Sequence, residues 1–211
     1  MPEVSVVVGP DGAPRCWWGT STDDYMAYHD DEWGRPVTSD NRLYEKLVLE
    51  GFQSGLSWLT ILRKRPAFRA AFEQFDPAAV SQFDESDVER LLGDAGIVRH
   101  RGKINAAITN ARAVVELQQS GTSLSDFMWS YAPGESERDP RPEWNWSIPG
   151  LTPTSKRLAK DLKARGFVFI GPTTAYAFMQ AMGLVNDHLP ECHVYPEVSA
   201  AQAAQRAKIG L

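Results

Sequence analysis

Cysteine is scarce in this chain: Cys16 and Cys192 are the only two in 211 residues, and they stand near opposite ends. A disulfide framework is therefore excluded, and the partners of the two thiols matter more than their number. Long apolar runs are missing too. Nothing approaches the roughly 18 residues that span a bilayer, and Met1 to Pro14 has neither a basic start nor an apolar signal core. This predicts a cytoplasmic protein with no membrane partner. A basic surplus is also absent, since 22 Lys and Arg face 27 Asp and Glu for a formal charge of −5. That total argues against a uniformly basic nucleic-acid binder but does not say where the charges sit. Strand alternation is nearly absent, and there are no repeats or heptads. What is present is apolar mass: 43% hydrophobic residues, with 7 Trp, 6 Tyr and 9 Phe, exclude a disordered chain and predict a sizeable core.

The dominant pattern is helical. Phe68, Phe72 and Phe75 recur at helical spacing, as do Ile104, Ile108, Ala111 and Val115, then Leu124, Phe127, Met128 and Tyr131, then Ala175, Phe178, Met179 and Met182. These stripes read as core. Asp76-Pro77 reads as a cap with proline at the first helical position, and Ser86 to Glu89 as a capping box. Gly121, Gly166 and Gly183 each close a periodic segment. The fold class is all-α. Residues 1–15 read as a loose N-terminal extension, 16–196 as one domain that could divide into lobes before and after a long loop, and 197–211 as a tail able to form a short helix. The loop is Ala132 to Pro153, with five prolines and two glycines.

Four constellations could carry chemistry. His188 and Cys192 lie four residues apart, a common ligand spacing on a helical face, and Cys16 and His29 supply one more of each type. Together they could close a tetrahedral zinc site; two buried thiols with unrelated histidines, or a disulfide, fit the same spacing. His100 and His193 are spare candidates. The second constellation is aromatic: Trp17, Trp18, Tyr25, Tyr28 and Trp33 crowd a stretch that also holds Asp23, Asp24, Asp30, Asp31 and Glu32. Such rings form either core or a walled pocket for a flat, electron-poor or cationic ligand. In the third, Glu50 ends the apolar run Leu43, Leu47, Val48, Leu49. A carboxylate there is either exposed at a helix end or buried, and burial demands a partner or a use. Gly51 and Gly55 leave Leu56 and Trp58 at an exposed rim. The fourth is basic: Arg63 to Arg65, Arg99 to Lys103, and Lys156, Arg157, Lys160, Lys163 and Arg165. It is followed by Phe169 to Ala175, an apolar turn into a helix start able to hold a phosphate.

These residues fall in segments that resemble a known family. Tyr25 to Gly34, Leu49-Glu50-Gly51 through Ser57-Trp58, Asp94 to Ile104 and Gly183 to His188 are similar to the 3-methyladenine DNA glycosylase I family, in order from about Arg15 to Tyr195. The resemblance implies a helix-hairpin-helix fold with one structural zinc ion held by Cys16, His29, His188 and Cys192. It implies hydrolysis of the N-glycosidic bond of 3-methyladenine, and weakly of 3-methylguanine, in double-stranded alkylated DNA. The base would be flipped out and an abasic site left without lyase chemistry. Glu50 and Tyr28 are the catalytic candidates, and Trp18, Tyr25, Trp33 and Trp58 the base-binding ones. Leu56 is the candidate wedge for the gap, while Gly171 and Thr173 would grip a phosphate. Asp187 reads as local structure. The resemblance implies a monomer without an obligate protein partner. Phe52 departs from the family's glutamine, which would matter for substrate range if it faced the base. A competing reading of the same residues is a zinc-stabilised module that recognises damage without cleaving it.

Overall fold

The computed structural model describes residues 5–134 and 149–210. Ten α-helices dominate these residues: α1 (Asp23–Asp31), α2 (Asp40–Gln53), α3 (Trp58–Ala71), α4 (Pro77–Val80), α5 (Glu85–Gly93), α6 (Arg101–Gln119), α7 (Leu124–Trp129), α8 (Pro153–Ala164), α9 (Pro172–Ala181) and α10 (Tyr195–Lys208). Two short strands, β1 (Val6–Val8) and β2 (Pro14–Cys16), pair antiparallel with Val6 opposite Cys16. The chain divides into two compact units, one made of 1–37, 131–150 and 179–211, the other of 38–130 and 151–178. The division does not follow the long loop, as the sequence suggests. The first unit is assembled from both ends of the chain, because the partners of Cys16 lie beyond residue 187.

In the first unit, residues 6–15 are tied down instead of trailing loosely. Arg15 is buried, and its guanidinium donates to both Asp11 and Asp30, which fixes the hairpin. Cys16, Leu189, Cys192, Val194 and Val198 form the apolar cluster of this unit. The tail is likewise structural. Along α10 the side chains of Val198, Gln202 and Arg206 are buried, and Arg206 donates to the carbonyls of Pro133 (2.6 Å) and Leu184 (2.8 Å). Most of the loop between Ala132 and Pro153 lies outside the described residues.

In the second unit α2 is the central helix. Every residue from Leu43 to Phe52 is buried, so the helix is enclosed on all sides and its charged members must pair. The phenylalanine stripe is core, but not one helix. After Ala71 the chain leaves helical geometry, and Glu73, Gln74 and Phe75 take φ of 50 to 56° before Asp76 and Pro77 start α4. This left-handed turn lets the ring of Phe72 stack on both Phe68 (6.1 Å) and Phe75 (5.6 Å). Asp76 caps α4 by accepting from the Ala78 amide. The capping box of α5 sits two residues earlier than Ser86: Asp84 accepts from the Ser86 amide while Asp87 accepts from the Asp84 amide. A third cap marks the end of the long loop, where Thr152 and Ser155 exchange side-chain bonds over Pro153. Gly121, Gly166 and Gly183 all take positive φ. Among the described residues, no helix is long and apolar enough to cross a membrane.

Candidate functional site

Both ends of the first unit converge on four side chains. Cys16, His29, His188 and Cys192 are all buried, with one ligand atom of each lying within 4.8 Å of the others. The separations are 3.5 Å for Cys192 Sγ to His29 Nε2, 3.7 Å for Cys16 Sγ to His188 Nδ1 and 3.8 Å for Cys192 Sγ to His188 Nδ1. Zinc bonds of about 2.3 Å to sulfur and about 2.0–2.1 Å to nitrogen, opened to a tetrahedral angle, put S and N about 3.6 Å apart. Three of the separations thus match a tetrahedral ion, and two thiols with two imidazoles are a donor set that zinc accepts.

The outward nitrogens are fixed as a metal site requires. Asp30 Oδ1 lies 2.7 Å from His29 Nδ1, and the Trp33 carbonyl lies 2.9 Å from His188 Nε2. Each partner holds the proton on the far nitrogen and leaves the near one as a lone-pair donor. Asp30 is itself held by three hydrogen bonds from Arg15 at 2.7 to 3.0 Å and lies 3.1 Å from His193 Nε2. Burial raises the Asp30 carboxyl pKa, but the bonds from Arg15, His29 and His193 outweigh it and hold the group below its ordinary range. The thiols are poised unequally. The hydrogen bond with Cys16 and the rings of His188 and His29 pull Cys192 down against burial, while the same pairing and burial push Cys16 up. The protein's own groups thus support one thiolate, and a divalent cation is what would support two.

Four of the five predicted rings gather beside this group. Thr22 caps α1, which presents Tyr25, Tyr28 and His29 at i, i+3 and i+4. Trp18, on a 3₁₀ turn, packs against that face, with centroids 5.9 Å from Tyr25, 6.3 Å from Tyr28 and 4.9 Å from Trp33. The approach needs Gly19, because a Cβ there would fall 2.7 Å from the His29 ring. Trp18 and Tyr25 are half-buried and Tyr28 is buried, whereas Trp17 is exposed. Trp33 lies deeper, wedged edge-on between Trp18 and His188 (4.6 Å).

In the second unit Glu50 is 6% exposed and bonded at 2.7 Å to Lys46, one turn earlier on α2. Lys46 also stands 3.4 Å over the Trp58 ring. The carboxylate and cation are buried beneath a half-buried indole, which decides between the two readings that the sequence left open for Glu50. Lys46 was missed from sequence; its signal was a basic residue four positions before the acid in an apolar run. Leu56 follows Gly55 (φ +82°) and is 41% exposed at the tip of the α2–α3 loop. Gly171 and Thr173 are exposed at the start of α9. Phe52 is not at an open surface: it is 1% exposed and packs on Phe68 (4.8 Å) and Phe72 (6.0 Å). Asp187 is buried and accepts from Gln180 (2.8 Å).

The basic clusters separate as well. Arg101 is engaged by Glu85 and Glu89, Lys103 is buried, and Lys64 donates to the carbonyls of Ala95 and Gly96. Lys156, Lys160 and Lys163 are exposed along α8. Within Arg99 to Lys103, then, Arg101 is charge-compensated and Lys103 is buried, whereas Arg99 is exposed.

The chain resembles known proteins along most of its length. The family described as methyladenine glycosylase matches residues 18–195. DNA-3-methyladenine glycosylase 1 of Escherichia coli (strain K12) is 50% identical over 182 residues, covering 86% of this chain and 97% of that protein. A crystal structure of 3-methyladenine DNA glycosylase I superposes with a TM-score of 0.78 at 49% identity, covering 86% of this chain and all of that one. A tyrosine-to-phenylalanine variant of 3-methyladenine DNA glycosylase I in complex with 3-methyladenine superposes with a TM-score of 0.76 at 36% identity, covering 86% and 97%. The chain belongs to the methyladenine glycosylase family. It is accordingly an enzyme, a DNA glycosylase that acts as a hydrolase.

Proposed function

We propose that this enzyme releases 3-methyladenine, and more weakly 3-methylguanine, from double-stranded alkylated DNA. The target nucleotide is extruded, because its base edge and glycosidic bond cannot be reached within the stack. Methylation at N3 leaves the base cationic in the nucleoside. When the bond from C1′ to N9 breaks, its electron pair stays with the base, which departs neutral. Water adds its oxygen to C1′ and yields a proton to solvent, leaving an abasic site.

Glu50 carries the reading. Lys46 holds it in place inside α2, so it offers a positioned carboxylate acceptor for the exocyclic amine of the cationic base. Tyr28 contacts the base edge or the water through its hydroxyl, and Trp18, Tyr25 and Trp58 supply ring faces. Trp33 serves from behind, setting Trp18 and, through its carbonyl, His188. Leu56 fills the gap left by the flipped nucleotide, and the hairpin before α9, with Gly171 and Thr173, holds a phosphate. Lys46, the lysine beside Glu50, is committed to that carboxylate and to the Trp58 ring instead of serving as a nucleophile, so no Schiff base forms and the strand is not cut. Cys16, His29, His188 and Cys192 would hold zinc through four protein ligands, a structural role that would cross-link the chain's two ends. The protein acts as a cytoplasmic monomer with DNA as its partner.

The test is release of free base from methylated duplex DNA. Wild-type protein is expected to liberate 3-methyladenine and leave alkali-sensitive sites without direct strand cleavage. Methylated DNA left intact under saturating protein would overturn the reading. Glu50→Gln is expected to weaken free-base binding and excision together at least tenfold; a fully active variant would remove Glu50 from the site.

A further inference from the structure

The two loops assigned to DNA in the second unit are fastened to the same helix face. Lys103 and Asn110 lie seven residues, two turns, apart on α6, and both are buried at 8% and 3% exposure. Lys103 Nζ donates to the carbonyls of Phe52 (2.9 Å) and Ser54 (2.6 Å). These belong to the C-terminal end of α2, where carbonyls lack helical partners and a cation is favoured. Ser54 stands two residues before Leu56. Burial holds the Lys103 pKa below its ordinary value, so the charge is kept there against a desolvation penalty. Asn110 makes a reciprocal pair with the hairpin: it accepts from the Val168 amide (2.8 Å) and donates to the Val168 carbonyl (3.1 Å). The next residue, Phe169, has φ +61°, an unfavourable conformation for a side chain with a Cβ, and is 49% exposed. Leu56, Val168 and Phe169 account for three of the four exposed large apolar residues described in this unit, the other being Leu151. Between the two anchors Ala106 and Ala107 are small and buried, and the Phe169 side chain lies alongside Gly51 and Gly102.

We infer that Lys103 and Asn110 are positioning residues for the glycosylase reaction: from one face of α6 they hold the Leu56 loop and the Phe169 hairpin in a fixed register. The duplex then meets wedge and phosphate grip as one rigid template, and neither loop has to be ordered at the moment the nucleotide is extruded. Lys103 acts through Leu56, and Asn110 acts through the strained backbone at Phe169. Glu50 is fixed separately by Lys46, so the base contact does not depend on either anchor.

This inference rests on the proposed base excision, and paired variants test the two apart. In the full-length protein, free 3-methyladenine affinity is read from quenching of tryptophan fluorescence, and excision from single-turnover release on methylated duplex. Lys103→Met is expected to slow excision at least tenfold with base affinity within twofold. In a Leu56→Ala background K103M should cost less than a further twofold. Asn110→Leu is expected to slow excision similarly, but by less than threefold in a Phe169→Gly background, because glycine adopts positive φ without a clamp. Should K103M not fold, Lys103→Gln keeps an NH2 donor without the charge and is held to the same non-additivity with L56A. Losses that multiply in full in the paired variants, or base affinity falling in step with excision, would overturn the inference. Wild-type protein that releases no base would instead overturn the proposed function.

Discussion

Asp30→Asn separates the metal-orienting role of Asp30 from its role as an ion-pair partner. The carboxylate accepts from Arg15 and sits against both His29 Nδ1 (2.7 Å) and His193 Nε2 (3.1 Å). An amide keeps one neutral oxygen and puts an NH2 donor in place of the other, so either Arg15 or His29 faces a donor where it now has an acceptor. Loss of such a partner behind a ligating histidine weakens metal binding about 10- to 100-fold. That is about 1.4–2.7 kcal/mol, and with zinc in excess the same amount leaves the folding free energy. At about 2–4 °C per kcal/mol for a chain of this size, the zinc-dependent part of the fall in Tm should be roughly 3–11 °C. A separate loss, about 1–3 kcal/mol, comes from removing the charge opposite Arg15 and persists without metal, because Asp11 alone remains to pair with it. The assay is thermal unfolding of wild type and variant, each with saturating zinc and after chelator treatment, beside a chelator competition for zinc affinity. If the Tm gap between the two proteins is the same with and without zinc, or if the affinities agree within twofold, Asp30 does not orient the ligand and the reasoning fails.

Other consequences are open to measurement. Cys192→Ser should lower zinc content by metal analysis and reduce Tm while leaving free-base affinity within a few-fold; a wild type free of zinc when prepared with the metal available would refute the assignment. Phe52→Ala should cost about 3–5 kcal/mol by denaturant titration, as a cavity in the Phe68–Phe72 stack, with no change in the preference for 3-methyladenine over 3-methylguanine. A shift in that preference would place Phe52 at the base after all. Asp84→Ala should lower Tm more than Ser86→Ala, since Asp84 is the true cap of α5. Hydrogen bonds from the Ser86 hydroxyl and from the Ser86 and Asp87 amides hold the Asp84 carboxyl below its ordinary value. Its contribution is therefore present above the usual carboxylate range and lost as pH falls through the depressed value. The Tm difference between D84A and wild type should shrink accordingly in acid, and one independent of pH would argue against the cap.

How far the sequence could be read depended on whether a feature is local. Helical stripes, the Asp76-Pro77 cap and the glycines after helices are decided by neighbours within a turn or two, and their positions could be stated from spacing. The α5 cap shows where even local reading slips: Asp84 and Ser86 offer rival starts two residues apart, and only the backbone chooses between them. The phenylalanine stripe satisfies helical spacing through Phe75, yet the chain turns left-handed after Phe72, and the Phe72 and Phe75 rings stack across that turn. Among candidate site residues, Cys16 with His29 and His188 with Cys192 could be paired by type but not joined, since nothing local links positions more than 150 residues apart.

The chain's composition and periodicity by themselves determined a helical protein with a large core, its main segment boundaries and a short set of chemistry-bearing residues. The tertiary structure alone decided which of those residues meet. It drew both ends of the chain around four ligand atoms, buried Glu50 against Lys46, turned Phe52 into the core and took Arg101 and Lys103 out of the open basic surface. The physical reason is that burial and pairing are properties of three-dimensional neighbours. A side chain's type says what it can do, and the groups packed against it determine whether it does so.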